Sequence, residues 1–169
     1  MKRLLIALLF AAVSFSLAAQ EDAEYLKDLL LNNRVSFKYS LGVKGSAPVV
    51  MSGNAVIDGN CYSARGRGIE LYCDGKTKWV VDKEAKEVYV EPSGGTSDFL
   101  SNPSAWIDRV TDLKVLDNTA TGYYYDDSQD VVLSFRFYSL NSSPLSGSSK
   151  GFVFDTSSLG PEWVVTDLR

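Results

Sequence analysis

The sequence has no histidine, and only two cysteines, two methionines and five prolines in 169 residues. Without histidine, serine and cysteine nucleophile systems lose their usual general base, and no histidine-ligated metal site can form. The 17 Lys and Arg are scattered among 21 Asp and Glu, for a formal charge of −4. A nucleic-acid binder needs a basic patch or stripe, and there is none. The spacing of Cys61 and Cys73 excludes a CxxC redox pair. No apolar run after the N-terminal segment is long enough to span a membrane.

That N-terminal segment has the layout of a secretory signal peptide. A basic start, Met1-Lys2-Arg3, precedes the uncharged stretch Leu4 to Leu17 and the small residues Ala18-Ala19. It is too short for a retained membrane anchor, which needs about 20 apolar residues. Cleavage after Ala18 or Ala19 is expected, so residues 1–19 are a leader and residues 20–169 a single exported, soluble domain. Loss of Lys2 and Arg3 takes the formal charge from −4 to −6. A chain of about 150 residues can bury about 70% of its unfolded surface.

Hydrophobic periodicity divides the rest. Ala23, Leu26, Leu29, Leu30 and Asn33 repeat every 3.6 residues, which predicts a helix over Gln20 to Asn33 with one buried face. From Val35 the period becomes two. Val35, Phe37, Tyr39, Leu41 and Val43 alternate with small or charged residues, and Met51, Gly53, Ala55 and Ile57 do the same. Further strands are predicted at Asn60 to Arg65, Ile69 to Cys73, Thr77 to Asp82, Glu87 to Glu91, Leu113 to Asn118, Tyr123 to Tyr125 and Val131 to Tyr138. Asn141 to Ser149 is a Ser-rich loop, and Gly151 to Asp155 and Trp163 to Asp167 close the chain. Midway, Asn102 as N-cap and Pro103 at the first helical position predict a short helix carrying Trp106 and Ile107. The expected fold is mainly β. It is an antiparallel meander of nine or ten strands, curved or closed into an open barrel, capped by the N-terminal helix and a mid-chain helical lid.

Few groups suggest chemistry. With Gly66-Arg67-Gly68 as a three-residue hairpin loop, Cys61 lands opposite Cys73, so a disulfide and two thiols on neighbouring strands both remain open. The same glycines fall short of a phosphate loop. Asp126, Asp127, Ser128 and Asp130 lack the Gly and Glu of a calcium loop and read as a solvated turn. No pair of acids stands out as a hydrolytic couple, and neither metal nor cofactor is expected. What does stand out is apolar volume at strand-alternation positions: Phe37, Tyr39, Leu41, Met51, Ile57, Leu71, Trp79, Val81, Phe135, Phe137, Phe152 and Phe154. With Trp106 from the lid, such a set builds either a packed core or an apolar cavity.

The stretch Met51-Ser52-Gly53 through Cys73-Asp74-Gly75-Lys76-Thr77-Lys78-Trp79 and on to Val88-Tyr89-Val90 resembles the periplasmic outer-membrane lipoprotein carriers of the LolA type. The F-x-F segment Phe152-Val153-Phe154 and the closing Val165-Thr166-Asp167 are similar to the end of that family. The likeness is greater to its Bacteroidetes-like members than to the proteobacterial ones. It implies an unclosed barrel with a helical lid. The interior would hold the acyl chains of lipoproteins between an inner-membrane release complex and an outer-membrane acceptor, in a periplasmic monomer that makes and breaks no bond. Asp74, Gly75, Lys76, Thr77 and Trp79 match the family motif, most of it as a turn, with Trp79 expected to line the cavity. Asp58-Gly59 stands where proteobacterial carriers have an Arg-Pro pair, so their lid latch does not carry over. The alternative is a sensor or interaction domain of the same fold, with its interior filled.

Overall fold

Ten strands and two α-helices make up the computed structural model, which describes residues 20–46, 49–94, 99–127 and 129–169. The expected leader, residues 1–19, lies outside the described residues, as does Ser128. Helix α1 spans residues 20–32 and passes directly into strand β1 (Asn33–Val43). Its apolar stripe packs down as the periodicity predicts. Leu26 and Leu30 are fully buried, and Ala23 and Leu29 rest against the same core.

After β1 the chain forms β2 (Val49–Asp58), β3 (Cys61–Gly66), β4 (Ile69–Cys73), β5 (Thr77–Asp82) and β6 (Glu87–Pro92). Helix α2 (Pro103–Ile107) follows, then β7 (Val110–Leu116), β8 (Thr119–Asp126), β9 (Val131–Pro144) and, after a single 3-10 turn, β10 (Val164–Asp167). All ten strands join one sheet in the order β10-β6-β5-β4-β3-β2-β1-β9-β8-β7. Strand β1 is the seam: it pairs with β2 on one side and β9 on the other, so two meanders share it. The sheet is mixed rather than wholly antiparallel. β10 runs parallel to β6, Val164 opposite Glu87 and Asp167 opposite Val90. Parallel pairing requires a long crossover. Here the crossover is the stretch 145–163, which returns across the back of the sheet.

Two-residue turns set the registers. Arg67 and Gly68 both have positive φ, 44° and 80°, which is the type I′ hairpin. The loop therefore has two residues, not the expected three, and Gly66 pairs with Ile69. Cys73 then faces Tyr62 and not Cys61. A one-residue slip sends neighbouring side chains to opposite faces. The two cysteines are accordingly thiols with no disulfide between them. The predicted strand end at Leu113 to Asn118 is in fact a second tight turn, with Asp117 and Asn118 both at positive φ.

The predicted Ser-rich loop also begins later than expected. Strand β9 runs on to Pro144, past a bulge at which Ser139 takes a φ of 56°. The extra residue shifts the alternation, so Phe135 and Phe137 point inward before the bulge and Leu140 after it. No strand forms at Gly151 to Asp155; that stretch is part of the crossover.

The sheet buries a different face at each end. Over β1–β4 and β7–β9 the buried face is the one beneath α1 and α2, with Val35, Phe37, Ala55, Ile57, Ala64, Phe135 and Phe137 in the core. Over β4–β6 it is the opposite face. There Tyr72, Trp79, Val81, Val88 and Val90 are covered by Phe154, Leu159 and Trp163 of the crossover. Trp79 and Val81 therefore do not look into the interior beneath the helices. Leu71 pairs with Val80, whereas Tyr72 pairs with Trp79, so Leu71 and Trp79 cannot share a face.

Candidate functional site

Beneath α2 the sheet encloses an apolar cavity of about 230 Å³. Strand alternation builds its floor: Phe37, Tyr39 and Leu41 from β1, Met51 and Ala55 from β2, Ala64 from β3 and Leu71 from β4. Tyr124 of β8 and Leu133, Phe135 and Phe137 of β9 form the far wall. The roof is Phe99, Leu100 and Trp106, from α2 and the residues before it. Of the residues singled out from sequence, Phe37, Tyr39, Leu41, Met51, Leu71, Trp106, Phe135 and Phe137 come together here. Ile57 is fully buried in the same core but below the cavity. Phe152 and Phe154 belong to the back of the sheet, Phe152 beneath the Arg34 guanidinium and Phe154 beside the Tyr72 ring.

Small residues make the room. Ala55 and Ala64 lie side by side in the β2–β3 register and leave floor space that larger side chains would fill. Further along, a Cβ on Gly53 would stand 2.0 Å from the Arg65 carbonyl oxygen, and one on Gly66 would stand 2.4 Å from that of Ser52. Only glycine allows the two strands to close this tightly. The Tyr39 hydroxyl occupies the notch above both. Gly122 plays a similar part under Phe135, whose ring would meet a Cβ at 2.9 Å.

Aromatic rings frame the cavity. Trp106 stacks on Tyr124 with centroids 5.1 Å apart and meets Phe135 edge-on at 4.8 Å. Phe99 meets Trp106 at 4.8 Å and Phe137 at 4.9 Å. Such pairs stabilise by about 0.5–1.5 kcal/mol each beyond their burial. The roof is otherwise held by polar contacts at its margin. The Asn102 side chain caps α2 by accepting from Ala105 N–H at 3.1 Å, as the Asn-Pro signature predicts. Tyr62 Oη and Ser101 Oγ share a hydrogen bond of 3.1 Å. Lys27 of α1 reaches Asp108 at the end of α2, Nζ to Oδ1 2.6 Å, which raises the lysine's pKa through that bond.

Among the described residues the lining carries no carboxylate, amine, guanidinium or thiol. Its side-chain polar atoms are the phenol oxygens of Tyr39 and Tyr124 and the indole nitrogen of Trp106. Tyr124 Oη accepts from Arg109 Nη1 at 2.9 Å, whereas Tyr39 Oη bonds to none of the described residues. Burial alone pushes the Tyr39 phenol above its ordinary pKa, so it stays protonated. This arrangement suits the uptake of an apolar body with few polar features.

The segment Asp74-Gly75-Lys76-Thr77 lies away from the cavity. Asp74 Oδ1 accepts from the N–H groups of Lys76 and Thr77 at 2.9 and 2.8 Å, which closes the turn into β5. Trp79 follows on the back face. Among the described residues no group of His, Cys, Asp or Glu is placed to hold a metal ion. Arg109 bonds to Asp127 and Tyr125 to Asp130 in the acidic turn. The lining residues that sequence reasoning missed are Ala55, Ala64, Phe99, Leu100, Tyr124 and Leu133. Alternation within β2, β3, β8 and β9 carries a signal for most of these. Phe99 and Leu100 lie in no periodic element and had none.

Comparison of the sequence with protein-family models and with curated proteins finds no match.

Proposed function

We propose that this protein is an exported carrier that holds acyl chains of lipoproteins in the cavity beneath α2 and passes them from the inner to the outer membrane of the cell envelope. The carrying observation is the cavity itself: about 230 Å³, lined mostly by apolar side chains, on an unclosed sheet under a short helical roof. An apolar cavity of about 150 Å³ already takes up benzene. Each methylene moved from water into such a space gains about 0.8 kcal/mol. The sequence resemblance to LolA-type carriers supports the same reading, as does the leader-like start of the chain.

The roof supports loading by displacement. Phe99 and Trp106 rest on the sheet through ring contacts, with polar contacts at the margin of the roof. Swinging α2 aside would enlarge the cavity without breaking a sheet ladder. Among the described residues the lining holds no carboxylate, amine or thiol, which fits binding and release rather than bond making.

Native mass spectrometry of the protein isolated from the cells that make it tests the proposal. Co-purifying acylated peptides, lost on Leu41→Glu substitution, are the expected result. A ligand-free protein that also fails to take up a synthetic diacylated lipopeptide would overturn it and leave the sheet as an interaction domain with a filled interior.

A further inference from the structure

Among the few polar atoms of the lining, one hydroxyl sits in a notch built around it. We infer that Tyr39 Oη donates a hydrogen bond to the neutral carbonyl of an ester- or amide-linked acyl chain, so that the cavity selects acyl esters and amides over free fatty acids and plain hydrocarbons. The inference rests on the acyl-binding reading above and says which atom of the ligand the protein recognises.

Three observations carry it. Tyr39 lines the cavity, and its hydroxyl bonds to none of the described residues, while the Tyr124 hydroxyl lies against Arg109, from which it accepts. Apolar pockets fix the orientation of a ligand through a small number of placed polar groups, and the Tyr39 hydroxyl is one such group. The position of the hydroxyl is also built rather than incidental. Gly53 and Gly66, opposite each other on β2 and β3, form the notch that receives it, and any side chain at either position would collide with it.

The lining further determines which carbonyl is accepted. Among the described residues no Lys or Arg lines the cavity. An ionised carboxylate entering it would give up its water with no cation to replace it, which costs several kcal/mol. A neutral ester or amide gives up far less and regains a hydrogen bond from the phenol. Burial keeps that phenol in its donating form.

By proportion to benzene in a 150 Å³ cavity, a cavity of this size suits about nine carbon atoms. Methyl octanoate, n-nonane and octanoate are therefore matched probes. Their affinities are measured by displacement of a hydrophobic dye from wild-type protein and from Tyr39→Phe, which keeps the ring. The expected result is that the affinity ratio of ester to nonane falls by about three- to tenfold in the variant, the worth of one hydrogen bond. Octanoate at neutral pH should bind the wild type more weakly than the ester. An unchanged ratio, or octanoate binding as tightly as the ester, overturns the inference while leaving the acyl-binding reading in place. If neither nonane nor the ester binds, that reading falls and the inference with it. Competition by a diacylated lipopeptide and by phospholipid micelles then separates the two sources of esterified chains. Displacement by either supports the assignment, and the stronger competitor identifies the source.

Discussion

Arg34 and Asp58 stand directly opposite each other on β1 and β2, and their side chains meet at 2.7 Å, Nη1 to Oδ2. The Asp58 carboxylate is almost wholly buried, and it also accepts from the backbone N–H of Ser146 at 3.1 Å and from the Ser146 hydroxyl. The Arg34 guanidinium in turn lies over the Phe152 ring, 5.3 Å from its centroid. One ion pair at the start of the sheet thus fastens the first half of the stretch that crosses its back, at Ser146 and Phe152.

Acid should loosen this fastening. Burial pushes the Asp58 carboxyl up, but hydrogen bonds from Ser146 and Arg34 more than offset it and hold it below the usual carboxylate range. A depressed carboxyl contributes stability above its unfolded pKa of about 3.9, and that stability is lost as pH falls through the lower folded value. Urea unfolding of Asp58→Asn should show a loss of about 2 kcal/mol at neutral pH and a shallower decline below about pH 4 than the wild type. Parallel pH profiles for the two proteins would remove Asp58 as the source.

The notch under Tyr39 predicts that two glycines differ sharply in cost. Gly53→Ala places a Cβ 2.0 Å from a backbone oxygen that cannot move aside, and should destabilise by about 3 kcal/mol or more. Gly45 meets nothing within 4 Å and suffers only its positive φ of 83°, so Gly45→Ala should cost about 1 kcal/mol. Denaturant midpoints compare the two directly, and equal costs would contradict the strand closure described.

Leu41 and Trp79 should separate binding from stability. Leu41→Glu puts a charge in the cavity wall and should abolish uptake of an apolar probe while the protein melts within about 1 kcal/mol of wild type. Trp79→Ala empties the back-face cluster and should cost about 3–5 kcal/mol, with the affinity of the folded fraction unchanged. Loss of binding in the Trp79 variant under folding conditions would place that ring in the cavity after all.

The cysteines should alkylate at different rates. Cys61 is half-buried, and burial raises its thiol pKa, so it should react slowly with iodoacetamide in the native state. Cys73 is buried, and its sulfur accepts from Gly75 N–H at 3.4 Å, so it should react only after unfolding. A mass two hydrogens short under non-reducing conditions would indicate a bridge.

Sequence periodicity carried much of the site. Phe37, Tyr39 and Leu41 were legible as one face of one strand, because side chains alternate every residue whatever the strand packs against. The α2 cap was legible too, since Asn-Pro acts locally. Trp79 was misplaced for a nameable reason. Leu71 of β4 lies where expected, but the turn at Asp74-Gly75-Lys76 pairs Tyr72 with Trp79, so Trp79 and Val81 of β5 fall on the face opposite Leu71. The bulge at Ser139 hid the last third of β9 in the same way.

By itself, then, the sequence determined the elements and which residues share a face within each, through backbone geometry that acts over a few residues. It also determined what the protein lacks, histidine above all. Only the tertiary structure decided which side of the sheet each face belongs to. That choice depends on turn length and on where the stretch from Leu145 to Trp163 comes to rest. Because that stretch covers the back of β4–β6, Trp79 and Val81 are structural, and the cavity is left to Tyr39 and its neighbours beneath α2.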